Sequence, residues 1–598
     1  MSLKTREEVA LQDTWDLTSM FENDEAFEAE YQELETAIQS MAQFQGKLSE
    51  SADVLADAID TQLALSRRLY HLYVYAHLKN DQDQANSTYQ NLFARSLQLH
   101  SKFAAIGAFF EPELLAISEE TLESFVKENA RLTEYAQYLA DMTRRRAHVL
   151  SEKEEMLLAQ ANEVISAPYN TFNMLNNADL VFPTIQDEEG NFVQLTHSLY
   201  GRLLESSNRQ VRKDAFEGLY SVYDQFKNTF ASILSTNIKA NNFNAKVRNF
   251  SSARQASLFD NNVPESVYDT LLEAVGSRLS LLHRYTDLRK KMLKLDTLEM
   301  YDMYTPLLGD APIKFTYEEA KAITLEALKP MGEDYMAIIK EAFDERWIDI
   351  YENKGKRSGA YSSGSYDSKP YILLNWQDGI NWLYTLVHEL GHSAHSYLTR
   401  KNQPYVYGSY SIFLAEIAST TNENLLTSYL LEKYTDPQIR LYVLNHFLDG
   451  LKGTVFRQSQ FAEFEHFMHV SDADGIPLTQ EFLSENYQRI NEKYYGEAVN
   501  SESQIALEWA RIPHFYYNYY VFQYSTGFAA ATYFADKILK GDEGALERYL
   551  GFLKSGRSEY PIDTMKRAGL DMTQRDYIDA TLDVFEARLT EFEQLVEA

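Results

Sequence analysis

The chain has no cysteine among its 598 residues, so disulfides and thiolate metal ligands are both excluded, and any metal must be held by histidine and carboxylate. That absence also favours a reducing cytosol. Long apolar runs are missing too. Nothing approaches the roughly 18 residues that would span a membrane, and the N-terminal MSLKTREEVALQDTWDL is charged from Lys4 onward with no apolar h-region. The expectation is a soluble, cytoplasmic protein with no membrane partner. Positive charge is scarce: 56 Lys and Arg against 88 Asp and Glu leave a net charge of −32. Such a surface repels a phosphate backbone, which excludes a nucleic-acid partner, and it serves solubility or attracts cationic peptides. No Walker spacing, fixed-period repeat or low-complexity tract is present.

What is present is ample material for a core, 45% hydrophobic residues in a chain long enough for two or more domains. Residues 15–165 are a succession of helical patterns separated by short polar turns. The first break, ADLVFPTIQDEEGNFVQLT at 178–196, places two β-like runs around the turn signal Asp187-Glu188-Glu189-Gly190, predicting a hairpin. It marks the junction between an N-terminal helical region, 1–195, and the remainder, 196–598.

The second region is organised around NWLYTLVHELGHSAHSYLTR at 381–400. Leu383, Leu386, Val387, Leu390 and Ala394 recur at helical spacing, and Asp378 stands just upstream as an N-cap, so the stretch reads as one buried amphipathic helix. Residues four apart share a helix face, so His388 and His392 can chelate one ion, with Glu389 beside the metal's open side. Gly391 between the histidines implies close packing of another backbone. His395 lies about 10 Å of helical rise from His388 and is too far to share the ion; packing or support of the site is its expected role.

A catalytic zinc needs a third protein ligand. Residues 411–433 read as a helix folding back on the first, and spacing leaves two acids open there, Glu416 and Glu423. Upstream, residues 347–351 and 371–376 read as strands separated by the glycine- and serine-rich GKRSGAYSSGSYDSKP, a mobile loop able to present backbone to an extended peptide. Downstream, RIPHFYYNYYVFQYSTGFAAATY at 511–533 carries Tyr517, Tyr520 and Tyr524 on one helical side adjoining His514, donors suited to an oxyanion.

These pieces together resemble the M3 metallopeptidases, specifically the oligoendopeptidase F branch. The residues that carry the resemblance are HELGHSAHS at 388–396, FLAEIAST at 413–420, KRSGAYSSG at 356–364 with the following YILLNW, HFYYNYYVFQYSTG at 514–527, and TWDLTSMF at 14–21. The resemblance implies a mainly α, two-lobed helical shell around a deep substrate channel, with a small β-sheet next to one zinc ion. It implies His388, His392 and Glu416 as zinc ligands, Glu423 as a supporting acid, and His514 and Tyr524 across from the zinc, with Tyr517 and Tyr520 as substitutes. Tyr517 and Tyr520, with Gly359, Ala360 and Tyr361 of the loop, are the expected substrate contacts. The expected activity is hydrolysis of internal bonds in short oligopeptides, with Glu389 as general base toward a zinc-activated water. Two other readings stay open: a di-iron carboxylate protein using Glu389 with His392 and Glu463 with His466, or a catalytically silent peptide-binding scaffold.

Overall fold

The computed structural model describes residues 3–309, 311–501 and 503–597. The protein is mainly α, as the periodicity predicts, and the described residues hold seven short strands. The chain divides into two compact units, each assembled from three segments. The first comprises Met1–Ala147, Ile313–Tyr429 and Phe534–Gly569; the second comprises His148–Pro312, Leu430–Tyr533 and Leu570–Ala598.

In the first unit, helix Ala52–Gln82 starts where Ser51 accepts the N–H of Val54, and its Leu69, Leu72 and Tyr75 join Leu92 and Leu99 of helix Ser87–Ile106 in one core cluster. Trp15 of the N-terminal segment belongs to the same cluster, as do two residues of a small sheet, Tyr371 and Leu373. Burying four or five such side chains contributes roughly 10 kcal/mol before entropy is counted. With strands numbered along the chain, β1 (Thr184–Gln186), β2 (Phe192–Gln194), β3 (Leu298–Glu299), β4 (Ile348–Asp349), β5 (Tyr361–Ser363), β6 (Tyr371–Leu373) and β7 (Val499–Asn500), this sheet has the order β4-β6-β5. β4 runs parallel to β6 with Ile348 opposite Ile372; β5 runs antiparallel with Ser362 opposite the same residue.

The loop between β4 and β6 is tied to its surroundings at Lys356 and Arg357. Lys356 reaches Asp349 at 2.7 Å with both side chains fully buried, Arg6 donates to the same carboxylate at 2.9 Å, and the N–H of Arg357 donates to the carbonyl of Asp81. Burial raises the Asp349 carboxyl, but Arg6 and Lys356 outweigh it and hold the group below the ordinary carboxylate range. The glycine and serine content of the loop signals turns; the buried pairing of Lys356 with Asp349 is a tertiary event that composition does not report.

In the second unit the predicted hairpin forms, β1 against β2 with Ile185 opposite Val193. Asp187 closes its turn by accepting the N–H groups of Glu189 and Asn191, and Gly190 takes φ +81°. The hairpin lies on the 39-residue helix Arg209–Val247: a Cβ on Gly218 would come within 3.1 Å of Pro183. β3 and β7 make a separate parallel pair.

Candidate metal centre

The histidine helix spans Ile380–Asn402. Its N-cap is Gly379, and Asp378 instead accepts the indole N–H of Trp376 at 3.0 Å, which corrects the sequence-based cap. Leu383, Leu386, Val387, Leu390 and Ala394 are all fully buried, so the apolar stripe is real and holds the opposite face in place. The glutamate helix, Ile412–Lys433, packs directly against it. A Cβ built on Gly391 would sit 2.6 Å from Ser419 Cα and 2.7 Å from the Ala418 carbonyl, so only glycine permits this approach. Asn422 ties the pair by donating to the Val387 carbonyl at 3.0 Å while accepting from Tyr335.

This contact brings three donor atoms together. His388 Nε2 and His392 Nε2 are 3.2 Å apart, and Glu416 Oε2 lies 3.4 Å from the first and 3.5 Å from the second. A tetrahedral ion with bonds of 2.0–2.1 Å has ligand–ligand edges of about 3.4 Å. The triangle therefore has the size of one face of such a tetrahedron, and the nitrogen and oxygen donors suit a divalent transition metal. Glu416 is 43% exposed at its side chain, which leaves the fourth direction accessible. Among the described residues, these three form the only such cluster of possible metal ligands.

Glu423 separates cleanly from Glu416. Its Oε1 lies 2.5 Å from His388 Nδ1, so it takes the proton on that nitrogen and turns Nε2 toward the other donors, the carboxylate–histidine arrangement that fixes tautomer and ring orientation. Burial lowers the His388 pKa, yet Glu423 first, then Glu389 and Glu416, raise it to about 9. Burial also raises Glu416, but His392 and His388 outweigh it and bring the carboxyl to about 2. Glu389 is 6% exposed; burial pushes its carboxyl up despite His392 and His388, and its Oε2 has no protein hydrogen-bond partner. A carboxylate with one oxygen so placed has a lone pair left to accept a proton.

The strand β5 adjoins Glu389. Ile372 and Leu374 donate to β4, so the alternate residues of β6 face β5, and Ser362, opposite Ile372, directs its backbone groups away from the sheet. Its N–H reaches the Glu389 carboxylate, and its hydroxyl meets that of Ser393 on the histidine helix at 2.8 Å. Of the three loop residues expected to contact substrate, Gly359 has φ +85° and its carbonyl accepts from Asn375. Ala360 is half-buried beside it, and Tyr361 commits its ring to His77 and its hydroxyl to Asp81. His395 is fully buried, stacked on Tyr410 with ring centroids 3.7 Å apart, and neither ring nitrogen has a hydrogen-bond partner; it is packing.

The tyrosine stretch belongs to the second unit, and there it is not one helix. Short 3-10 turns at Ile505–Arg511 and Pro513–Tyr516 give way to a left-handed pair, Asn518 and Tyr519, before helix Phe522–Leu539. The helical period is corrected, yet the rings still gather: His514 lies 5.5 Å from Tyr517, 6.4 Å from Tyr520 and 5.9 Å from Tyr524. Tyr169, with nothing in its local sequence to mark it, joins them through its hydroxyl, 3.2 Å from that of Tyr517. Burial lowers the His514 pKa, which favours the neutral ring, a form that still carries an N–H. Glu463 is paired with Lys493 and His466 meets the Tyr519 hydroxyl, so the second Glu-x-x-His spacing builds no metal cluster among the described residues.

The chain is similar along most of its length to known peptidases. A family model described as Peptidase family M3 matches residues 202–584, and one described as Oligopeptidase F matches residues 113–182. Oligopeptidase PepF of Bacillus subtilis (strain 168) is 51% identical over 594 residues, covering 99% of this chain and 89% of that protein. Group B oligopeptidase PepB of Streptococcus agalactiae is 52% identical over 582 residues, 97% of each chain. The solved oligoendopeptidase-F of Enterococcus faecium is 51% identical, with a TM-score of 0.75 over 96% of this chain and 99% of that one. Similarity of this extent, with its family's metal motif built into a three-donor face, means that the chain belongs to peptidase family M3, in its oligoendopeptidase F branch, and is a metallopeptidase.

Proposed function

We propose that the protein is a zinc-dependent endopeptidase that hydrolyses internal bonds of short oligopeptides, with one zinc per chain held by His388, His392 and Glu416. The observation that carries the reading is the triangle of donor atoms, 3.2 to 3.5 Å on a side, with the buried carboxylate of Glu389 next to it in the chain. A divalent ion at this position supplies Lewis-acid polarisation of the scissile carbonyl and lowers the pKa of a bound water toward about 7. Glu389 accepts the proton of the attacking water and hands it to the departing amine; its raised pKa suits both tasks. Glu423 holds His388 in the ligating tautomer. Stabilisation of the developing oxyanion is assigned to Tyr524 with His514, on the family motif at 514–527, with Tyr517 and Tyr520 able to substitute or to contact the peptide. Backbone at Gly359, Ala360 and Tyr361 is assigned to the substrate. Catalysis belongs to region 196–598, and the protein acts in the cytoplasm on peptides, with neither nucleic acid nor membrane as partner. The described helices include none long and apolar enough to cross a membrane.

The test is digestion of a mixed peptide library, read by mass spectrometry, with metal content measured on the same sample. The expected result is one zinc per chain, internal cleavage that a chelator stops, and a Glu389→Gln variant that keeps its metal and binds peptide but cuts nothing. Two irons per chain, or a Glu389→Gln enzyme of full activity, would sink the proposal.

A further inference from the structure

The ring cluster at 514–524 hangs on a turn with uncommon backbone. Asn518 and Tyr519 take φ 44° and 57°. Asparagine enters that left-handed region readily, but a bulky aromatic does so rarely, so neighbouring groups must hold Tyr519 there. Two groups do. Glu465 Oε1, on helix Arg457–Ala473, accepts the backbone N–H of Tyr519 at 2.6 Å. The hydroxyl of Ser257, on helix Ala253–Phe259, donates to the backbone carbonyl of Asn518 at 2.6 Å. Glu465 is fully buried and its Oε2 has no hydrogen-bond partner; burial raises its carboxyl to about 8, with the Tyr519 N–H working against that rise. A methionine or leucine would fill the same volume without a desolvation cost, so the carboxyl is explained by the backbone group it captures.

The turn sorts the rings. Tyr519 is driven inward, 2% exposed, with its hydroxyl on His466 Nδ1 at 3.0 Å and its ring edge-on to Tyr268. Its neighbours are left on the other side: Tyr517 is 41% exposed, and Tyr520 and Tyr524 are half-buried around His514. We propose that Glu465 and Ser257 are positioning residues for peptide hydrolysis, clamping the Asn518–Tyr519 turn from its N–H and carbonyl sides and so setting Tyr517, Tyr520 and Tyr524 against His514. This role rests on the assignment of Tyr524 and His514 to the reaction.

The experiment measures kcat and KM on one internally quenched peptide, with metal content and Tm recorded. The variants are Ser257→Ala, Glu465→Leu, Glu465→Gln and Tyr524→Phe, with the first two also combined with Tyr524→Phe. Ser257→Ala and Glu465→Leu are each expected to lower kcat about tenfold with KM and metal content unchanged, since misplacement of a donor is felt in turnover. Glu465→Gln keeps an acceptor and is expected to recover most of that loss. In the Tyr524→Phe background the further loss should shrink to about twofold, because the positioned donor is already gone. Wild-type kcat in Ser257→Ala, or losses that multiply in full with Tyr524→Phe, overturns the proposal; Ser257→Ala decides it if Glu465→Leu does not fold. A Tyr524→Phe enzyme of full kcat overturns the assignment of Tyr524 and this role together, whereas a slow Tyr524→Phe beside silent Ser257→Ala and Glu465→Leu overturns the role alone.

Discussion

At the scale of single residues, the site is a contest between burial and charge. His388 carries its proton up to about pH 9 because Glu423, 2.5 Å away, outweighs burial. Metal uptake must displace protons, so affinity should rise about tenfold per pH unit for each proton released and level off above about pH 9. Glu423→Gln should move that plateau to lower pH and, by loosening the ring, weaken binding about 10- to 100-fold; competition against a chelator from pH 6 to 9.5 measures both. His395 runs the other way. Burial lowers its pKa to about 3, against an ordinary value near 6.5, so the unfolded chain binds the extra proton first. Its contribution to stability is complete above about pH 6.5 and is lost as pH falls toward 3. His395→Phe, which keeps an aromatic between Tyr410 and Phe552, should flatten the acid side of a Tm-against-pH curve; an unchanged curve would show that this histidine is not what acid attacks.

At the scale of elements, the donor triangle depends on how closely two helices approach. Gly391 makes that distance possible, since a single methyl there meets the Ser419 backbone at 2.6 Å. Backbone, unlike the end of a long side chain, cannot swing aside. Gly391→Ala should therefore cost about 1–3 kcal/mol by overpacking, although alanine is the better helix former. It should also weaken metal binding, because moving the glutamate helix outward takes Glu416 away from both histidines. Chemical denaturation together with metal analysis tests this, and a stabilised variant with full metal content would contradict it. The neighbouring strand β5 is tied to the same helix through Ser362 and Ser393, so sheet edge and Glu389 share one support.

At the scale of the whole molecule, the expectation is that metal binding and folding are separable. The histidine helix is held by five fully buried apolar side chains and by Asn422. Chelation should abolish cleavage while lowering stability only by the binding term, about 4 kcal/mol at a thousand-fold excess over Kd, and re-addition of metal should restore both. Calorimetry and far-ultraviolet dichroism of the stripped protein check this; loss of helix on chelation would mean that the metal is structural.

The residues differ in how far they were legible in the chain. His388, Glu389 and His392 were readable because their relation is local: one helical turn, an apolar stripe and a glycine whose only use is close approach. The helical fold class and the 184–194 hairpin were readable for the same reason. Glu416 and Glu423 stand two turns apart on one helix face, and spacing could not tell their surroundings apart; the contact of two helices did, placing one beside His388 Nε2 and His392 Nε2 and the other against His388 Nδ1. In the loop after β4, composition signals turns but not the buried pairing of Lys356 with Asp349. The helical period failed across 511–524 because 3-10 turns run to Tyr516 and a left-handed pair follows at Asn518 and Tyr519, where Glu465 and Ser257, distant in sequence, bond the backbone. What the sequence determined by itself were relations within one turn or one strand, where covalent geometry sets the spacing. What only the tertiary structure decided were the pairings between elements, where burial forces each polar group to find a partner that spacing along the chain does not specify.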